Sequence, residues 1–138
     1  MNQEQFLLGQ NQALQAIYVP GVAKKVGTHF LTNPENDLQI GLMTRDSNSP
    51  VLAHQHQKFE RMVTSTQEFI WIRDGKAEIL IYNENQSISH RLILSTGDSI
   101  LFISGGHAIN FLTSTQLLEI KQGPYQQSLD KAYLSGNQ

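Results

Sequence analysis

His54 and His56 stand two residues apart in a stretch expected to be extended, so their imidazoles would leave the same face of a strand. Two adjacent imidazoles suit a divalent first-row metal. Alone, such a pair is as a rule exposed or hydrogen-bonded histidine and nothing more. Two further residues raise its interest. Glu68 opens Glu-Phe-Ile-Trp-Ile-Arg-Asp-Gly, where period-two alternation sets its carboxylate on one face with Ile70 and Ile72. A carboxylate on an apolar face is costly unless something pairs with it. His107 follows Gly105-Gly106, a pair that lets the backbone turn sharply and approach closely. His54, His56, Glu68 and His107 thus make a three-His, one-carboxylate set with coordination positions left for water or substrate.

The elements that must position these residues read as short strands. Gly, Pro, Asn, Asp and Ser punctuate the chain every eight to twelve residues or so, the spacing of an all-β sandwich or barrel. Strands are predicted at Ala13–Val19, Leu38–Thr44, Val51–His56, Glu68–Arg73, Ala77–Tyr82, His90–Leu94, Ser99–Ile103 and Leu117–Gln122. The histidine strand should pair with the Glu68 strand across residues 57–67. Asp74-Gly75 predicts a type I′ hairpin, and Asn83-Glu84-Asn85 and Thr96-Gly97-Asp98 predict the next turns. Within Gln3–Gln15, Phe6, Leu7 and Leu14 make a loose apolar helical face, but Gly9 and the β-branched run beyond it argue for something short. In the polar tail, Leu129, Tyr133 and Leu134 have near-helical spacing, enough for one turn packed across the barrel or against a partner subunit.

Composition narrows the chemistry. The 138 residues fit a single domain, and a 39% hydrophobic content supports a buried core. Ten Lys and Arg stand against twelve Asp and Glu with no run of either sign, which argues against nucleic-acid binding. The absence of cysteine excludes disulfides, thiolate nucleophiles and thiolate metal sites. No signal-like or membrane-length apolar segment is present, so a cytoplasmic protein without membrane contact is expected.

The quoted residues resemble the cupins, whose fold is the double-stranded β-helix, a jelly-roll barrel. Their first motif is a glycine, HxH, three or four residues, Glu, six residues and Gly. Here His54-Gln-His56 is present and Glu68 precedes Gly75 by the required six residues. Their second motif is matched in Gly97, Gly105, His107 and Asn110. The departures are an eleven-residue gap between His56 and Glu68, no leading glycine, Ile103 for the motif's proline, and a His107 one residue early with Asn110 three beyond it. Glu60 satisfies the literal HxHxxxE spacing, but strand and glycine follow Glu68, the preferred ligand; Glu60 is left as a general base, a second carboxylate near the site or a solvated loop residue. The resemblance spans about residues 38–125, with 1–37 as an N-terminal strand extension and 126–138 as a tail.

A narrower likeness joins Leu117-Leu-Glu-Ile-Lys-Gln-Gly-Pro-Tyr125, then Asp130, and Gln67-Glu-Phe-Ile-Trp-Ile72, to the cupin domain of type II phosphomannose isomerases. The chain resembles small single-domain cupins of sugar and polysaccharide biosynthesis. That implies Zn, Ni, Mn or Fe on His54, His56, Glu68 and His107, and a sugar phosphate or nucleotide-sugar as ligand. Isomerase or epimerase chemistry would use the metal as Lewis acid and Glu60, Lys121 or His90 as base. Arg61, Arg73, Arg91 and Lys121 are cations for phosphate, although surface cations are the ordinary outcome; Arg61, Arg91, Gln122 and Tyr125 are the expected substrate contacts. Phe69, Trp71 and Tyr82 offer a stacking wall or, for Trp71 on the face opposite Glu68, a subunit interface. A non-catalytic ligand-binding cupin and an iron-dependent dioxygenase are the alternatives. A homodimer is expected, through strand faces or an exchanged N-terminal strand.

Overall fold

The computed structural model describes residues 3–135, and its regular secondary structure is nearly all β-strand. It divides into two units, Met1–Ala23 with Thr66–Gln138, and Lys24–Ser65.

The first unit holds two antiparallel sheets. One carries β1 (Gln5–Leu8), β2 (Leu14–Val19), β8 (Ser99–Phe102), β5 (Glu68–Asp74) and β10 (Gln116–Lys121) in the order β1-β2-β8-β5-β10. The other carries β7 (Ile88–Ser95), β6 (Lys76–Tyr82) and β9 (Gly106–Phe111) in the order β7-β6-β9. Among the described residues the ladders do not join the sheets into a closed barrel. The period-two pattern of β5 sends Ile70 and Ile72 inward and leaves Trp71 exposed. Together with Ile100 they pack against Ala77, Ile79, Ile81 and Leu94 of the other sheet, all essentially inaccessible to solvent. Buried Gln15 ties the sheets at one end: its Nε2 donates to the Tyr82 carbonyl (3.0 Å) and its Oε1 accepts from the Ser89 hydroxyl (2.6 Å).

The structure departs from the expectations at several points. Asp74-Gly75 does not close a hairpin, because β5 and β6 belong to different sheets. The same turn chemistry serves a corner at which the chain changes sheets. Gly75 has φ +99°, and a Cβ there would lie 2.4 Å from the Ser114 carbonyl oxygen, so only glycine fits. Residues 3–15 contain no helix: β1 pairs with β2 through a turn at which Gln12 has φ 61°, and pairing satisfies the backbone that an isolated short helix would leave open. Strands β1, β3 (Gly27–Phe30) and β9 are not among the expected strands, and β1 and β9 lie on sheet edges. By contrast, the Asn83–Asn85 turn does join β6 and β7, with the Asn83 amide donating to the Ser87 carbonyl at 2.8 Å.

In the second unit β3 pairs with β4 (Gly41–Thr44), so the strand predicted from Leu38 begins three residues later. Leu31 and Thr32 are buried, and the Thr32 hydroxyl donates to Gln39 Oε1 at 2.8 Å. The predicted strand Val51–His56 is absent: residues 51–64 are exposed and have no regular secondary structure. The Glu68 strand pairs instead with β8 and β10.

Gly75→Ala is expected to cost about 1–3 kcal/mol, the scale of a side chain forced into a left-handed backbone, with more if the Ser114 carbonyl must move. Urea denaturation followed by circular dichroism measures it.

Candidate functional site

The inward positions that carry the isoleucine core also place the polar residues at its end. Glu68 precedes Ile70 by one period of β5, and His107 sits opposite Ile81 on β9. The two side chains therefore meet between the sheets, with His107 Nε2 3.6 Å from Glu68 Oε2 and the side chains 28% and 15% exposed. Gly105 makes this possible: its φ is +75°, and a Cβ would come within 2.5 Å of the Tyr82 carbonyl oxygen, so the chain turns into β9 flush against β6. The Phe102 ring stacks on the imidazole with centroids 3.9 Å apart and planes 6° from parallel, fixing its tilt.

Lys121 faces Glu68 across the β5–β10 ladder. Its ammonium donates to Asp130 Oδ2 at 2.9 Å, lies 3.3 Å from Glu119 Oε1 and sits 5.1 Å from the Tyr125 ring centroid. The Asp130 hydrogen bond raises the Lys121 pKa well above the ordinary lysine value; partial desolvation opposes this and Glu119 adds to it. Lys121 is thus held as an ammonium, fit to bind oxygen atoms. The Glu68 carboxyl is held below its ordinary range chiefly by the His107 imidazole, with Lys121 and Lys131 adding to the effect and burial opposing it.

Glu68, His107, Lys121, Asp130 and Lys131 line a cavity of about 680 Å³, of the size that holds a small molecule. Leu80, Tyr82 and Phe102 give it apolar wall, and residues 130–134 of the tail cross it.

His54 and His56 are exposed in the second unit, their rings 5.2 Å apart and edge-on, with His54 Nδ1 2.8 Å from the Leu52 carbonyl. Glu60 and Arg61 belong to the same exposed segment, where the Arg61 guanidinium covers the Phe59 ring at 3.4 Å. Arg91 pairs with Glu78, which also accepts from Asn110 Nδ2 at 3.0 Å on the solvent side of the three-stranded sheet. Gln122 Oε1 accepts from the Gln67 amide at 2.6 Å, while its buried Nε2 has no partner among the described residues. His90 Nε2 lies 2.7 Å from the Leu8 carbonyl oxygen and so carries the proton. Phe102 and Asp130 are not among the site residues expected from the sequence. Phe102 reads as core from its pattern; Asp130 lies nine residues beyond Lys121, and no periodicity connects them.

No family model matches this chain, and no curated protein or solved structure matches it. Among the described residues, no group of three or more His, Asp and Glu side chains converges as a metal-holding set. Glu68 and His107 are two suitable donors, and their 3.6 Å span is near the roughly 3.3 Å that two bonds of about 2.0–2.1 Å subtend at a tetrahedral ion. No helix among the described residues is long and apolar enough to cross a membrane.

The folded protein releases the Glu68 proton more readily than the unfolded chain does. Ionised Glu68 therefore stabilises the fold above the ordinary glutamate pKa of 4.5, and this contribution disappears as pH falls through the lower folded value. In chelator-treated protein, the stability advantage of the parent over Glu68→Gln should shrink between about pH 5 and the acid limit of folding. Denaturant midpoints of both proteins across that range provide the check.

Proposed function

We propose that this chain is a cupin-type small-molecule-binding protein whose ligand is sugar-like and whose polar centre is the Glu68–His107 pair. The observation that carries this reading is the meeting of an ionised carboxylate and an imidazole from opposite sheets inside a cavity of about 680 Å³. Mixed polar groups beside apolar wall suit a polyhydroxylated molecule: carboxylates accept from hydroxyls, and the Lys121 ammonium and His107 donate. The strand orders β10-β5-β8 and β9-β6-β7, with the chain passing repeatedly from one sheet to the other, support a double-stranded β-helix as the fold type. A sugar phosphate or nucleotide-sugar is the proposed ligand class.

Metal binding is the second part of the proposal, favoured by the donor span of Glu68 and His107. The cupin resemblance adds His54 and His56 as ligands, and Zn, Ni, Mn and Fe are the candidate ions. A bound ion would supply Lewis acidity; the chain's own residues would orient the ligand, with Lys121 on its oxygens and Phe102 keeping the imidazole in place. A homodimer belongs to the same reading, supported by exposed Phe6, Trp71, Leu118 and Ile120 on the outer face of the five-stranded sheet.

Calorimetric titration with mannose 6-phosphate and UDP-glucose tests the ligand class. Binding should weaken about tenfold or more in Glu68→Gln and in His107→Ala, the scale of one lost charge-assisted contact. Titration curves that overlay for the parent and both variants would contradict the site. Elemental analysis of the parent beside His54→Ala/His56→Ala tests the metal; a parent that stays empty after incubation with all four ions rules it out. Turnover to an epimer or isomer, followed by proton NMR of the sugar, would make the protein an enzyme; an unchanged ligand would leave it a binding protein.

A further inference from the structure

The C-terminal tail makes contacts that the ligand reading does not require. After one helical turn, α1 (Gln127–Asp130), it continues across the cavity. It is attached at three points. Asp130, its side chain only 10% exposed, receives the Lys121 hydrogen bond at 2.9 Å. Leu134 lies against Gly106, so closely that a Cβ on the glycine would come 2.8 Å from Leu134 Cδ1. The Ser135 hydroxyl donates to Gln86 Oε1 at 2.7 Å in the β6–β7 turn. Between these points Tyr133 is 90% exposed, and within α1 Leu129 is 79% exposed and no residue is buried. A segment that buries so little apolar surface and depends on one ion pair, one leucine contact and one exposed hydrogen bond belongs to the low-stability end of the molecule.

We propose that residues 126–135 form a strap over the Glu68–His107 cavity, latched by Asp130 on Lys121, and that ligand entry requires the latch to release. Asp130 occupies the ammonium that ligand oxygens would otherwise meet, so an anionic or hydroxyl-rich ligand competes with the chain's own carboxylate for Lys121. Gly106 is the seat of the second anchor, because any side chain there would displace Leu134. The strap controls access to the cavity assigned above and to that extent rests on the ligand reading, but its opening can be followed without ligand.

The test is the rate at which diethyl pyrocarbonate modifies His107 in the full-length protein, resolved from the other histidines by peptide mass mapping. Exposed His29 and His54 serve as internal references. Asp130→Asn should speed His107 modification severalfold relative to the references, and Leu134→Ala should do the same through the other anchor. Asp130→Glu, which keeps a carboxylate, should restore a rate near the parent's. Added salt should accelerate the parent towards the Asp130→Asn rate and leave that variant unchanged, since it has no ion pair to screen. Equal His107 rates in the parent, Asp130→Asn and Leu134→Ala, without salt dependence in the parent, would overturn the strap. Fast labelling in both variants with no sugar-phosphate binding in any form would uphold the strap and contradict the ligand reading.

Discussion

Burial of one aliphatic layer between two sheets is the interaction on which the rest of the first unit depends. Ile70, Ile72 and Ile100 on one side and Ala77, Ile79, Ile81 and Leu94 on the other are removed from water almost entirely. That burial fixes the register of β5, because a slip by one residue would turn Ile70 and Ile72 outward. It also fixes the site. Glu68 and His107 occupy the next inward positions on β5 and β9, where the layer runs out and water reaches in. The pair is the polar end of the core, and its geometry is inherited from the packing of the isoleucines.

The charges around that end form a chain of opposite signs. Glu68 lies beside His107 and within the field of Lys121 and Lys131; Lys121 is bound by Asp130 and approached by Glu119. Glu68 stays ionised and Lys121 stays protonated because their neighbours favour the charged forms. Such a centre binds and orients. A proton-transfer role for Lys121 would need the Asp130 contact to break first.

The strands from Glu68 to Lys121 were largely legible because a half-buried strand writes its periodicity directly into the sequence: alternation at Glu68-Phe-Ile-Trp-Ile72 gives both the strand and the face of Glu68. Connectivity was less legible. A glycine at positive φ serves a hairpin and a sheet-changing corner equally well, and only the long-range pairing of β5 with β8 and β10 distinguishes them at Gly75. Val51-Leu-Ala-His-Gln-His56 has extended propensity, yet it lacks a paired neighbour, and short strands exist only when paired. Of the site, Glu68 was visible as a carboxylate on an apolar face and His107 as a histidine directly after a glycine pair. Phe102 was hidden because a stacking ring and a core ring have the same pattern. Asp130 was hidden because its partner is set by where the tail crosses β10.

The central claim, that the end of the isoleucine layer brings Glu68 and His107 together, is tested most directly by nuclear Overhauser contacts in protein labelled at histidine, phenylalanine and glutamate. The account predicts cross-peaks from the His107 imidazole to the Phe102 ring and to the Glu68 side chain. An imidazole whose cross-peaks stay within its own strand and its β6 neighbours, with none to Phe102 or Glu68, would contradict it.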